Sequence, residues 1–390
     1  MSNLEHRFSL KRCTQPTIAQ RVPFLDLHAQ YDGLRDEIMR ALARVAESST
    51  YVLGPEVTRF EQDFAEFTRA RHCVAVNSGT SALHLALISA GVGPGDEVIT
   101  TPLTFIATCW AISYVGANPV FVDVDPATHT IDPNQVAARI SSETRAILPV
   151  HLYGQSADLA PLLEVGRRYG IPVIEDAAQA HGARYGRNEV GTYGLCGCFS
   201  FYPGKNLGAY GEGGAIVTNS AQVATRLRSL RNHAQSERYC HDEIGFNYRM
   251  DAFQGAILAI KLQRLPYWTE VRRRLARHYL RELADLPLEL PREASDRYHV
   301  WHLFVALHPQ RDRIRMELEA RGIQTGLHYP IPVHLQKAYS HLGHKPGDFP
   351  VAERIASECF SLPMFPEMTK SQQDYVIHSL REILNEVNHI

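Results

Sequence analysis

No stretch of this 390-residue sequence approaches the run of roughly 18–20 apolar residues that a membrane span requires, so no membrane contact is expected. The first twenty residues are polar and mixed and lack the apolar core of a secretory signal; residues 1–21 read as a loosely ordered extension. Cysteine is sparse and odd in number, seven in all, at Cys13, Cys73, Cys109, Cys196, Cys198, Cys240 and Cys359. That scatter reads as reduced thiols in a cytoplasm rather than a disulfide framework. Cys196 and Cys198 have no second pair at zinc spacing and read as two small residues on one face of a strand. The nineteen histidines form no HExxH array. Charge of neither sign is in excess, with 40 Lys and Arg against 42 Asp and Glu, so nucleic acid is not an expected partner. The one basic run, Arg272 to Arg274 with Arg277, falls in a helical pattern and reads as a solvated face.

What is present is an ordinary globular composition, 45% hydrophobic and 21% charged, long enough for a large core and about two domains. From residue 72 onward, short apolar runs alternate with helical periods. Strands are expected at 72–78, 97–101, 119–124, 146–152 and 172–177, and helices at 81–91, 105–116, 135–140 and 159–170. This alternation predicts a mostly parallel sheet flanked by helices, an α/β domain with its ligand along the edge formed by the strand ends. The runs 196–203 and 213–219 follow one another too closely for a helix between them, which predicts an antiparallel departure. A helical stretch from Asp251 to Asp285, kinked at Pro266, comes next. The proline-bearing segment from Leu286 to Asp296 marks the expected boundary between a large domain, 22–285, and a smaller α+β domain, 286–390. The latter should hold a strand at 301–307 and helices at 313–322 and 372–388. A helix from Asp32 to Glu47 precedes them all.

Three local patterns carry chemistry. Asn77-Ser78-Gly79-Thr80-Ser81 joins a strand to a helix, with the Thr80 and Ser81 amides expected to face outward, and such a terminus binds phosphate through its amides and dipole; plain N-capping gives the same letters. Glu175 and Asp176 end a buried strand and point to opposite faces. A buried carboxylate needs a partner, and a protonated pyridine nitrogen, a metal or a capped amide would serve for Asp176. Lys205 lies 29 residues later, between Gly204 and Gly208, directly after the aromatic strand Phe199-Ser200-Phe201-Tyr202. A lysine there can be desolvated enough for imine chemistry, while Ser200 offers a hydroxyl to a phosphate. The glycine-rich run 208–214 precedes a strand rather than a helix, so it is not a dinucleotide loop, and Asn206 after Gly204-Lys205 breaks the P-loop pattern.

The order of these patterns resembles the DegT/DnrJ/EryC1/StrS aminotransferases, over nearly the whole chain from Val22 onward. The resemblance is carried by PFLDL (23–27), YVLGPEV (51–57), NSGTSALHLAL (77–87), TTPLTFIAT (100–108), VHLYGQ (150–155), IEDAAQAHGA (174–183), SFYPGKNLGAYGEGGA (200–215) and GFNYRMDAFQGA (245–256). It implies the fold-type-I architecture of pyridoxal phosphate (PLP) enzymes and a homodimer with shared sites. By position, Lys205 matches the lysine that binds PLP as a Schiff base, and Asp176 matches the partner of its pyridine nitrogen. Gln179 matches a residue at the ring and its 3-hydroxyl, Phe105 the aromatic stacked on the ring, and Gly79, Thr80 and Ser200 the phosphate site. Asn247 matches a residue reaching the phosphate from the neighbouring subunit. The segment 325–336, with Leu362-Pro363-Met364, looks like members that aminate carbon 3 of a keto-sugar on dTDP or UDP; His328 and Tyr329 are the candidate substrate contacts, or else cover a domain interface. The implied activity moves an amino group, from L-glutamate, to a dTDP-3-oxo-6-deoxyhexose. The alternatives are carbon 4, a UDP-linked 3-oxo sugar, or a non-enzymatic regulator.

Overall fold

The computed structural model describes residues 21–387. The expected extension therefore lies, apart from Arg21, outside the described residues. Two amphipathic helices, α1 (Arg35–Ser48) and α2 (Pro55–Thr68), lead into the first strand. The strands of the central sheet follow: β1 (His72–Val76), β2 (Glu97–Thr100), β3 (Asn118–Phe121), β4 (Thr144–Ile147), β5 (Ile174–Asp176), β6 (Cys196–Ser200) and β7 (Gly214–Thr218). Strand β2 pairs in parallel with β3 and β4, and β5 in parallel with β6. Parallel bridges Ile147–Val173 and Val150–Asp176 join the two halves. Strand β7 lies antiparallel between β6 and β1. The order across the sheet is β3-β2-β4-β5-β6-β7-β1, with β7 alone reversed.

Strands β1, β4 and β5 bury nearly every residue, as a sheet covered on both faces requires. The helices over it are α3 (Gly79–Ser89), α4 (Ala107–Tyr114), α5 (Leu159–Tyr169) and α6 (Ala221–Arg231). Val74, Val76, Leu85, Leu87, Ile112 and Ile216 form part of the cluster beneath α3 and α4. The six parallel strands all end at one edge. Residues 77–81, 101–105, 176–179 and 200–205 are gathered there because each follows a strand end.

The mostly parallel mixed sheet and its antiparallel departure at 196–219 are as expected. Three local expectations change. The helix expected from residue 105 begins at Ala107, because Thr108 hydrogen-bonds Thr104 through their hydroxyls at 2.7 Å and its amide reaches only back to Phe105; Phe105 precedes the helix. Residues 135–140 form one short helical turn and a 3-10 turn. The long helical stretch is two helices, α7 (Ala252–Leu262) and α8 (Leu265–Glu282), with Pro266 in the first turn of α8, where its missing N–H costs nothing.

Strand β8 (Phe304–Leu307) pairs antiparallel with β9 (Cys359–Leu362) beside α9 (Arg311–Ala320), α10 (Pro350–Glu358) and α11 (Lys370–Val387). Strand β9, helix α10 and helices α2 and α6 had no counterpart among the expected elements. One apolar cluster joins Phe304, Phe360, Ile314 and Leu380 with Val271, Tyr279 and Val22, so side chains before and after residue 286 share a core. The expected solvated face fails at Arg272, which is buried and donates to the carbonyls of Trp301, His302 and Met364. No described helix is long and apolar enough to cross a membrane. The six described cysteines are unpaired, and no described cluster could hold a metal ion.

Candidate active site

The two carboxylates at the end of β5 have opposite surroundings. Glu175 is 0% exposed and accepts from the amides of Gly191, Tyr193 and Gly194 at 2.6–2.9 Å and from His151 at 3.0 Å. It is saturated and ties the 191–194 loop to the sheet. Asp176, on the other face, accepts among the described residues only from the Thr108 hydroxyl at 2.8 Å and the Ala178 amide at 3.1 Å. Burial pushes its carboxyl above the usual range, against these two hydrogen bonds and the charge of Lys205. Such a carboxylate has lone pairs to spare and favours a cation, which suits a protonated ring nitrogen.

Lys205 stands in a tight turn whose amide bonds the Tyr202 carbonyl at 2.9 Å. Asn206 anchors the turn, donating to the Val300 carbonyl at 3.1 Å and accepting from His302 at 3.2 Å. Burial pulls the Lys205 amine down to about 8, with Asp176 pulling the other way. Its ammonium has no hydrogen bond or ion pair among the described residues. The neighbouring imidazoles stay neutral: burial brings His181 to about 3 and His328 to about 4, and holds His302 well below its ordinary value. A partly neutral, unengaged amine thus faces one carboxylate, the condition for imine chemistry.

The phosphate turn is built as a cap and a cradle. Ser78 caps α3 by accepting from the Ser81 amide at 3.0 Å, so Ser81 does not offer the free amide that was expected. The amides of Gly79 and Thr80 find no acceptor among the described residues. A Cβ on Gly79 would sit 2.6 Å from that of Ser200. Only glycine lets the turn and the Ser200 hydroxyl close on one another. Two amides at a helix start plus a hydroxyl suit a phosphate.

At the far side, the Gln179 carbonyl oxygen accepts from the Tyr153 amide at 2.7 Å, and its NH2 donates to the Tyr329 hydroxyl at 2.9 Å. The Phe105 ring, 50% exposed, lies 5.6 Å from that of Tyr329. His328 stacks on Phe24 at 5.6 Å and hydrogen-bonds Ser361 at 2.8 Å. Asn247 stands apart: it is exposed, and its backbone carbonyl accepts from Asn77 at 3.4 Å. Thr108, Tyr153, Ser361 and the Asn206–His302 pair were not expected. Thr108 and Tyr153 lie inside the quoted motifs, yet nothing in the letters reveals contacts across 68 and 26 positions. A phosphorylated pyridine aldehyde fits these donors: amides and a hydroxyl for phosphate, a carboxylate for ring nitrogen, an open aromatic face and a free amine.

Comparison with known proteins agrees with this chemistry. The profile of the DegT/DnrJ/EryC1/StrS aminotransferase family matches residues 32–381. A dTDP-3-amino-3,4,6-trideoxy-alpha-D-glucose transaminase of Streptomyces venezuelae is 48% identical over 93% of this chain and 96% of its own. A protein of Geobacillus stearothermophilus called a pleiotropic regulatory protein is also 48% identical, over 93% of this chain and 98% of its own. Among solved structures, S. venezuelae DesV superposes with a TM-score of 0.92 at 48% identity, over 93% of this chain and 98% of that one. Bacillus subtilis NtdA, with its cofactor PMP bound, superposes at 0.89 and 32% identity, over 95% and 86%.

Proposed function

Because the chain belongs to the DegT/DnrJ/EryC1/StrS aminotransferase family and is a PLP-dependent nucleotide-sugar aminotransferase, we propose that it moves an amino group from L-glutamate to carbon 3 of a dTDP-linked 3-oxo-6-deoxyhexose. The observation that carries the chemistry is the unengaged Lys205 amine, lowered to about 8, opposite the under-satisfied Asp176. The choice of sugar is supported by the 48% identity to the S. venezuelae transaminase.

PLP, when bound, supplies the electron sink that loosens the Cα–H bond of an amino donor. Lys205 would anchor the cofactor through its amine, and once an amino donor displaces it the freed amine would lift the proton from the donor Cα as general base and release it as general acid away from that carbon. Asp176 would keep the ring nitrogen protonated, with the Thr108 hydroxyl fixing the carboxylate. Gly79, Thr80 and Ser200 would hold the phosphate, and Phe105 and Gln179 would contact the ring and its hydroxyl. His328 and Tyr329 orient the sugar. The exposed Asn247 would reach the phosphate of a second copy, which would make the working unit a homodimer. The exposed Tyr202, Tyr210, Tyr239 and Ile244 support such an interface, and the unpaired cysteines support a cytoplasmic location. A purely regulatory role would leave the Lys205–Asp176 arrangement without a task.

The reverse half-reaction tests the sugar. The PLP-loaded enzyme, free of 2-oxoglutarate, is offered dTDP- and UDP-linked amino-sugars. Loss of the visible PLP band is expected with a dTDP-3-amino sugar. A response confined to 4-amino sugars overturns the carbon, and one confined to UDP sugars overturns the nucleotide.

A further inference from the structure

Tyr153 occupies a costly backbone position. Its φ of 59° and ψ of 3° lie in the left-handed region, which strains a bulky residue. Gly154 follows with φ 103°, and a Cβ there would sit 2.9 Å from the His302 amide. The Tyr153 side chain is buried, with the His129 ring edge-on at 6.2 Å. This strained turn makes two connections. Its amide donates to the Gln179 side-chain oxygen at 2.7 Å, and its hydroxyl donates to the His328 carbonyl.

The first connection has a consequence for hydrogen-bond polarity. With its oxygen held by the Tyr153 amide, Gln179 has only its NH2 to turn toward Tyr329, 2.9 Å away. Tyr329 must accept there. Its own O–H is then left to donate, beside the open face of Phe105. The second connection fixes the peptide that carries Tyr329, and Ser361 holds the His328 ring on the other side at 2.8 Å.

We propose that Tyr153 is a positioning residue that sets both the place and the donor polarity of Tyr329, so that Tyr329 selects a ligand oxygen able to accept a hydrogen bond. The proposal rests on the reading of Tyr329 as a substrate contact. Tyr153→Phe removes one hydroxyl and keeps the turn and the Gln179 bond. The probe is dTDP-3-amino-3,4,6-trideoxy-α-D-glucose, titrated calorimetrically into the PLP-loaded enzyme. Tyr153→Phe should weaken it about tenfold, the scale of one lost buried hydrogen bond. PLP uptake by the cofactor-free protein and the glutamate half-reaction should be unchanged, and Tm should fall by no more than the loss of one buried hydrogen bond explains. Tyr329→Phe should cost a similar factor, and the double variant no more than either alone. Gln179→Glu tests the polarity with Tyr153 intact: a carboxylate can only accept from Tyr329, which removes the donor from the ligand and weakens the probe comparably. Wild-type affinity in Tyr153→Phe or Gln179→Glu, with Tyr329→Phe impaired, overturns the proposal alone. Wild-type affinity in Tyr329→Phe overturns the substrate reading and the proposal with it. A Tyr153→Phe protein that loses Tm, PLP and probe together shows a plain structural role, which also overturns it.

Discussion

Lys205 and Lys261 are both withdrawn from water, and burial lowers both amines to about 8. Their engagements differ. Lys261, 1% exposed on α7, donates to the Gly208 carbonyl and lies 4.9 Å over the Tyr210 ring, with Glu367 as the acid that favours its charge. Lys205 has no such bond among the described residues and feels the charge of Asp176. A lowered amine alone does not mark a reactive lysine; one that is also unbonded and opposite an under-satisfied acid does. The clamped lysine supports the loop from which the free one projects.

The contrast breaks first at Lys205. Lys205→Ala should abolish turnover in a coupled assay with glutamate and a dTDP-keto-sugar; a full rate in that variant would end the proposed chemistry. Asp176→Asn comes second. It should cost roughly 10²–10³-fold in kcat, as for a lost electrostatic partner of the reacting group. Since burial disfavours the Asp176 charge, the cofactor-free variant should melt no lower than wild type. Its neighbour should behave in the opposite sense. Glu175→Gln sets an NH2 against amide donors and should destabilise by about 1–3 kcal/mol in urea unfolding, with turnover per folded molecule retained. Lys261→Met leaves the Gly208 carbonyl unbonded, with a loss of about 1–3 kcal/mol and full PLP stoichiometry by visible absorbance.

The smallest effect is in pH. PLP uptake by the cofactor-free protein needs the neutral Lys205 amine, so its rate should climb with pH and level off above about 8. An ordinary lysine, near ~10.4, would still be climbing there. Asp176 raises the Lys205 value, so Asp176→Asn should move the profile to lower pH. A profile unmoved by that change would mean that the two groups do not interact.

The readable part of the site follows from where its residues stand in the chain. Gly79, Asp176, Ser200 and Lys205 each end or follow a strand of the sheet, and the alternation of strands and helices already brings those ends to one edge. The substrate side is assembled otherwise. Gln179 meets Tyr329 across 150 positions, and Tyr153 meets His328 across 175. Such contacts depend on how the C-terminal segment docks, which no local pattern records. The single helix expected through Pro266 divides in two because helical periodicity cannot distinguish a kink from a fresh start. Arg272 reads as solvated beside Arg273 and Arg274 because its partners are carbonyls, which leave no trace in side-chain letters.

The distinction between the two lysines can be measured directly. The PLP-loaded protein is reduced with borohydride, digested, and the pyridoxyl-labelled peptide mapped by mass spectrometry. The label should fall on Lys205 alone, with Lys261 unmodified. Label on Lys261, or an unlabelled Lys205 in protein that had absorbed in the visible, would contradict the assignment.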